Sequence, residues 1–290
     1  MSAAMVTSIE VISPGPLTTI QDLGRPGWAH IGVPRSGAAD RESLELANRL
    51  VGNDVGAACL ETTLAGPRLR CDAPAVVALT GAPVDGAPMN TPIELAAGDV
   101  LKVGTAQRGL RTYIAFAGGI EAPRVLGSAA TDLLTGLGPA PLARGDRLRL
   151  SFAGGGRSSG APAPEATPPP ESPTLRVVLG PRDDWFTSGA IERLLHEPFT
   201  VTPASNRVGL RLDGPALDRA RQGELLSEGL VPGAIQVPSG GQPILLLADH
   251  PTTGGYPVIA VVTDEDLPVA GQLRPGQRLR FAARNTAPMR

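Results

Sequence analysis

Glycine occurs 36 times and proline 30 times in these 290 residues, and neither tolerates the interior of a long helix. The chain is therefore expected to consist of many short elements joined by turns. Although 42% of the residues are hydrophobic, only 3% are aromatic. The core must then come from Val, Leu, Ile and Ala, which favours strands packed as sheets. The expected class is mainly β, with a few short helices.

A chain of 290 residues exceeds one small barrel, and roughly 100–200 residues per domain gives two domains. The clearest boundary is 153–173, AGGGRSSGAPAPEATPPPESP, where Gly and Ser give way to Pro and no apolar face recurs. This predicts a β-rich N-terminal domain over 1–152, a linker over 153–173 and a C-terminal β-rich domain over 174–290. Short strands are read at Val6–Ile12, Ala75–Thr80, Val100–Val103, Thr112–Phe116, Arg147–Phe152, Leu175–Leu179, Gly209–Leu212, Ala234–Val237, Ile244–Leu247, Val258–Val262 and Arg278–Phe281. Helices are expected over Asp40–Val51, with Asp40 as N-cap, and Ser188–Leu195, with a capping serine. Gly98–Lys102, Gly145–Arg149 and Gly276–Arg280 share one pattern, a turn glycine followed by an alternating strand.

The formal net charge is −2 and the pI about 6.0, so neither nucleic acid nor a membrane is expected as a partner. The opening MSAAMVTSIEVISPG lacks a basic stretch followed by an apolar one, and a cytoplasmic location is expected. Cys59 and Cys71 read as buried small hydrophobes in a reducing compartment. Lys102, the only lysine, stands in AGDVLKVG without a GxxxxGK loop, which excludes a P-loop. It also lacks the flanking methionines of a biotin-attachment lysine, so any biotin would arrive on another polypeptide. His30, His196 and His250 have no metal-ligand spacing, and no structural metal is expected. No GxSxG nucleophile elbow occurs. The available chemistry is that of Asp, Glu, His, Arg, hydroxyls and backbone amides.

Two stretches are dense in such groups. In Leu245–Pro257, LLLADHPTTGGYP, an apolar strand runs into a turn carrying Asp249, His250, Thr252, Thr253 and two glycines. Gly254-Gly255 lets backbone approach a ligand closely, although Asp249 and Thr252 could instead cap the turn through their own backbone. In Thr18–Asp40 no apolar periodicity is evident, yet Asp22, Arg25, His30, Arg35, Ser36 and Asp40 recur among turn-forming glycines and prolines. This reads as a long ordered loop. Arg35-Ser36-Gly37 before a helix could hold a carboxylate or phosphate at its N-terminus. Asp40 would oppose that if its own carboxylate occupies the cap, and His30 alone reads as a structural imidazole.

These residues also carry a resemblance. TTIQDLGRPGWAHIGVPRSGAADRESLELANRLVGN, LETTLAGP at Leu60–Pro67, SNRVGLRLDGP at Ser205–Pro215, LLSEGLVPGAIQVPSGGQPILLLADHPTTGGYP and the closing RPGQRLRF resemble the biotin-dependent carboxyltransferase or allophanate-hydrolase-subunit-2 family. They are most similar to its stand-alone members, the C subunits of ATP-dependent 5-oxoprolinase. The resemblance implies two β-rich domains with a cyclophilin-like barrel, acting with a homologous B subunit and a third, A subunit. It implies opening of 5-oxo-L-proline to L-glutamate, with ATP used at the level of the complex, no covalent biotin on this chain, and no activity of the chain alone.

Implied substrate-binding positions are His30, Arg35, Ser36, Asp40, Asn206, Arg207, Gln236, Gly254, Gly255 and Tyr256. Catalytic work falls to Asp249, Thr252, Thr253 and Glu228. Arg35 and Arg207 would clamp a carboxylate or phosphorylated intermediate, with Asp249 or Glu228 as base and the threonines and glycine amides as oxyanion donors. For Arg207 the alternative is a surface pair with Asp213. Relatives read ADRQTTGGYP where this chain has ADHPTTGGYP, so the basic residue at position 250 becomes a histidine, only partly charged near neutral pH. Two other functions fit the same family: a carboxyltransferase served by a separate biotin carrier, and a non-catalytic partner of a kinase system.

Overall fold

The computed structural model describes residues 7–151, 170–223 and 225–284. They fall into two compact units, 7–25 with 36–151, and 26–35 with 170–284 apart from residue 224. Most of the stretch 153–173 lies outside the described residues, as do the first residue of the strand expected at Val6 and the last of that expected to reach Phe152.

The first unit holds ten strands: β1 (Ser8–Ser13), β2 (Thr18–Gln21), β3 (Cys59–Thr63), β4 (Arg68–Cys71), β5 (Ala75–Gly81), β6 (Pro92–Leu95), β7 (Val100–Lys102), β8 (Arg111–Phe116), β9 (Ile120–Glu121) and β10 (Arg147–Leu150). They form two antiparallel five-stranded sheets, ordered β7-β4-β1-β10-β9 and β2-β3-β8-β5-β6. In β4 and β10 the sequences RLRC and RLRL alternate exposed arginine with buried Leu or Cys, the period-2 signature of a sheet with one wet face. The buried side chains join Ile9, Val11, Leu60, Leu79, Ile114 and Phe116 in one core.

Helix α1 (Arg41–Leu50) covers the other face of β5 and β8, burying Leu44, Ala47 and Leu50 with Cys59, Ala78 and Tyr113. Both faces of β8 are thereby covered, and all six of its residues are buried. Asp40 is the N-cap as expected, its Oδ1 accepting from the Ser43 N–H at 3.0 Å.

The second unit is a closed seven-stranded barrel, consistent with a cyclophilin-like fold. Its strands are β11 (Thr174–Leu179), β12 (Phe199–Val201), β13 (Gly209–Asp213), β15 (Ala234–Gln236), β16 (Ile244–Leu246), β18 (Val258–Val262) and β19 (Arg278–Ala283). They close in the order β11-β18-β15-β16-β13-β12-β19. Every neighbouring pair is antiparallel except β11 and β19, which run parallel with Leu175 opposite Phe281. Inside pack Leu175, Val177, Leu210, Leu212, Ile235, Leu245, Ile259, Leu279 and Phe281, each contributing about 1.5–3 kcal/mol of burial. A two-stranded ribbon, β14 (Glu228–Gly229) with β17 (Thr253–Gly254), stands outside the barrel ladder. Helix α2 (Ser188–His196) adds Ala190 and Leu194 to the core, and a short α3 (Leu267–Gly271) adds Ala270.

The five-residue repeat seen in the sequence is one turn built three times. Gly98, Gly145 and Gly276 all have left-handed φ, at 89°, 91° and 84°. The next residue in each, Asp99, Asp146 or Gln277, turns its side-chain oxygen back onto the N–H three residues earlier, at 2.8, 2.7 and 3.1 Å. Each glycine N–H donates to a facing strand, to Cys71, Val11 and Val201 in turn.

Two expectations need correction. Thr18–Gln21 is not loop but β2, buried at all four positions. Its polar side chains conceal the pattern although they are buried: Thr18 Oγ1 donates to the nearby Pro14 carbonyl at 2.6 Å, and Gln21 Nε2 to the distant Thr131 carbonyl at 2.9 Å. The cap of α2 is Thr187, accepting from the Ala190 N–H at 3.1 Å, rather than Ser188.

Candidate functional site

Within the second unit the turn after β16 is fixed from below by a buried ion pair. Arg207 precedes β13 and Asp249 follows β16, and because these strands pair antiparallel their outer ends meet. Arg207 Nε lies 2.9 Å from Asp249 Oδ2 and Nη2 lies 3.0 Å from Oδ1, with side-chain exposures of 1% and 0%. The Asp249 N–H also donates to the Arg207 carbonyl at 3.0 Å. Arg207 is therefore half of a buried two-point pair, and neither a surface partner of Asp213 nor a guanidinium open to ligand. Next to it His250 is buried, its Nδ1 2.7 Å from the Pro251 carbonyl and its N–H donating to Leu247. Asn206 is exposed and folds its Oδ1 onto the Val208 N–H at 2.8 Å, a local turn contact.

Above this base the chain turns through Thr252–Tyr256. The Leu230 N–H donates to the Thr252 carbonyl at 2.9 Å, and the ribbon continues with Gly229 opposite Thr253 and Glu228 opposite Gly254. A Cβ at 254 would stand 2.8 Å from both Gln236 Nε2 and Leu230 Cδ1, so any larger residue there must displace these two side-chain ends. Buried Gln236 in turn donates to the Tyr256 carbonyl at 3.0 Å. The structure thus brings together Gln236, Glu228, Thr253, Gly254 and Tyr256, with the Arg207–Asp249 pair at the root of the same turn. Thr253 and the ring of Tyr256 are exposed.

Glu228 is not a free base, because Arg182 holds it. Arg182 Nε is 3.0 Å from each carboxylate oxygen and Nη2 contacts Oε1. This hydrogen bonding keeps the Glu228 carboxyl below its ordinary range. Arg182 is absent from the sequence-predicted site, although Gly-Pro-Arg-Asp-Asp directly after a strand was an available signal. Its loop is laid against the start of β18, where the Arg182 N–H donates to the Val258 carbonyl at 3.3 Å and a Cβ on Gly180 would lie 2.4 Å from that oxygen. Residues 218–221 are stitched to the same loop: Thr187 N–H to Asp218 O, Ala220 N–H to Trp185 O, and Arg221 paired with Asp184 at 2.5 Å. Arg219 Nη2 caps the Val237 carbonyl at 2.6 Å, and its buried Nε meets no acceptor among the described residues.

The other sequence cluster is divided between the units. His30 and Arg35 belong to the second, Ser36 and Asp40 to the first. His30 is exposed, with Nδ1 3.0 Å from the Gly27 carbonyl and its ring stacked on Trp28, while Arg35 is half-buried. Ser36 takes a left-handed φ of 53° and its Oγ donates to the Thr131 carbonyl at 3.2 Å. Asp40 closes the N-terminus of α1 with its own carboxylate, bonding the Ser43 N–H and hydroxyl at 3.0 and 2.7 Å. An anion at that helix end would have to displace it.

Behind Asp40 lies a buried set that sequence reasoning passed over. Tyr113 Oη donates to Glu61 at 2.7 Å and accepts from the Asp40 N–H at 2.8 Å, and Arg111 Nε stands 3.4 Å from Glu61. Burial and the Glu61 charge push the Tyr113 phenol well up, so it stays protonated and donating. These charges sit in strands β3 and β8, where alternation gives no sign of a polar core.

Among the described residues no group of His, Cys, Asp and Glu could hold a metal ion, and no helix is long and apolar enough to cross a membrane. The model of the carboxyltransferase domain, subdomain A and B, matches residues 31–283. The chain belongs to this carboxyltransferase-domain family. Relatives divide by size. The 5-oxoprolinase C subunit of Escherichia coli K12 is 36% identical, with 94% of this chain covering 90% of that protein. The urea amidolyase of Lachancea kluyveri is also 36% identical over 94% of this chain, but the match covers only 17% of its length. Among solved structures, TTHA0988 superposes with a TM-score of 0.87 at 37% identity, over 97% of this chain and 56% of that one. The Kluyveromyces lactis urea carboxylase superposes at 0.84 and 35%, over 94% and 27%. This carboxyltransferase-domain chain thus spans just over half, or less, of these solved polypeptides.

Proposed function

We propose that this chain is the C subunit of an ATP-dependent 5-oxoprolinase, a cytoplasmic assembly with A and B subunits that opens 5-oxo-L-proline to L-glutamate. The observation that carries this reading is the mutual coverage with a 5-oxoprolinase C subunit. The chain and the Escherichia coli 5-oxoprolinase C subunit account for each other almost entirely, whereas the urea amidolyases contain a carboxyltransferase region within a much longer chain. Membership of a hydrolase complex is the coarser statement that both 5-oxoprolinase relatives support.

The chemistry suits the turn at Thr252–Tyr256. Lactam opening requires an activated carbonyl, for instance one phosphorylated at the expense of ATP, and then attack by water while charge develops on oxygen. Hydroxyls on a rigid turn stabilise that charge without reorganising. In this reading Thr252 and Thr253 face the reacting carbonyl. Gln236 and the Arg207–Asp249 pair hold the turn at fixed height, and Glu228 becomes available as a base only once released from Arg182. ATP is used at the level of the complex, and the chain alone is inactive.

The test is 5-oxoproline-dependent ATP hydrolysis by co-expressed A and B subunits with and without this chain. Activity that requires the chain supports the reading. An intact complex without activity removes it and favours a second reading, carboxyl transfer with a separate biotin carrier, which the equal identity to urea amidolyase supports.

A further inference from the structure

We propose that Arg182 is a carboxylate-binding residue at the mouth of this turn and that Glu228 occupies its place until ligand arrives. Three observations converge on it. Arg182 is fixed by its backbone, not by its side chain: the N–H is on Val258, and Gly180 leaves no room for a Cβ above that strand. Its guanidinium reaches Glu228, the residue directly opposite Gly254 in the ribbon, so the fork lies beside the glycine turn. Both partners are accessible, at 38% and 33% side-chain exposure, so the pair can open without uncovering a buried charge.

Arg207 provides the contrast. Its two-point contact to Asp249 is sealed at 1% and 0% exposure, and displacing Asp249 would strand a buried carboxylate. Of the two arginines bound to a carboxylate beside this turn, only Arg182 can exchange its partner. The seated group indicates the ligand class, since a carboxylate bridged by Nε and Nη2 is what a planar fork matches. Arg219 is fixed at the same strand end, with its Nε buried rather than open to ligand. It is anchored on Val237, whose own N–H donates to Pro257, and its Nε is without an acceptor among the described residues. The strand end that positions Arg182 thus also positions Arg219. Reading the carboxylate as that of 5-oxo-L-proline rests on the oxoprolinase proposal, whereas the site itself does not.

The experiment compares the full chain with Glu228→Gln and Arg182→Gln by chemical-shift titration with three probes: 5-oxo-L-proline, acetate and the uncharged 5-oxo-L-prolinamide. Removing an internal competitor of exposed ion-pair strength should tighten binding of both carboxylates by about two- to fivefold in Glu228→Gln. Arg182→Gln should weaken them about tenfold or more, and the amide should respond to neither substitution. Arg182→Lys, which keeps charge but not the fork, should fall between and serves if Arg182→Gln does not fold. If Glu228→Gln weakens binding or leaves it unchanged, the pair is only a structural strap and the proposal fails. If acetate follows the expected pattern but 5-oxo-L-proline binds no better than its amide, the carboxylate site stands and the oxoprolinase reading falls.

Discussion

Arg207 and Asp249 meet in two parallel contacts of 2.9 and 3.0 Å with almost no solvent at either side chain. A pair in that setting is not strongly favourable in itself, but removing one partner leaves a desolvated charge. Arg207→Leu or Asp249→Leu alone is expected to cost about 3–5 kcal/mol, while the double Leu variant should recover most of that loss. Urea unfolding of the three variants measures it. Equal and additive losses would mean that the charges are not compensating one another.

Gly254 sits against Gln236 and Leu230, whose side-chain ends would have to move to admit a methyl group. Gly254→Ala should push the Gln236 amide off the Tyr256 carbonyl and cost about 1–3 kcal/mol. If the turn is the reacting centre, activity of the assembled complex should fall well beyond what the stability loss explains. Gln236→Ala in the same background removes one of the two close contacts, and it should recover part of the lost stability without restoring activity. Melting temperature and turnover measured on both variants separate the two effects.

How much of this was legible depended on whether a residue's job was local. Short runs bounded by turn residues gave the barrel strands β11, β13, β15, β16, β18 and β19 to within about two residues, with alternation visible where one face is wet, as in β11 and β19. Strand β2 was missed since Thr18, Thr19 and Gln21 are polar yet buried, their hydrogen bonds coming from as far away as Thr131. At the site the turn Thr252–Tyr256 could be read from its hydroxyls and glycines. That Asp249 is Arg207's partner, or that Glu228 is held by Arg182, could not be read, because 42 and 46 residues separate them. Asp40 showed both readings in advance, and the structure gives its carboxylate to the helix cap.

The thrice-built turn makes its own prediction. Gly98, Gly145 and Gly276 face open space, so an added methyl meets no neighbour. Alanine there should still cost about 1–2 kcal/mol, because the left-handed φ and not a clash opposes it. Asp146→Ala should cost about 0.5–1.5 kcal/mol through the lost bond to the Ala143 N–H. Gly98 and Gly145 lie in separate turns of the same unit, so a combined Gly98→Ala and Gly145→Ala variant should show summed losses in urea unfolding. A loss below about 0.3 kcal/mol at each glycine would show that the turns relax to another type.

Cys59 and Cys71 are both buried in the first unit. Burial, followed by the nearby Asp99 and Asp72 charges, pushes the Cys71 thiol up to about 11, and burial followed by the Glu61 charge raises Cys59 as well. Only the thiolate reacts, so both should resist a disulfide exchange reagent at pH 8 in the folded chain and react fully in denaturant. The same shift links to stability with a definite sign. A thiol whose folded pKa lies above its unfolded value of about 8.5 holds its proton longer when folded. Its contribution is complete below that value and is lost as pH rises towards about 11. Stability should therefore decline from about pH 8.5 upward, and Cys71→Ala should flatten part of that slope even though the cavity lowers stability at neutral pH. Unfolding free energies measured from pH 7 to 11 test this, and an unchanged slope in Cys71→Ala would assign the alkaline loss to other groups such as Tyr113.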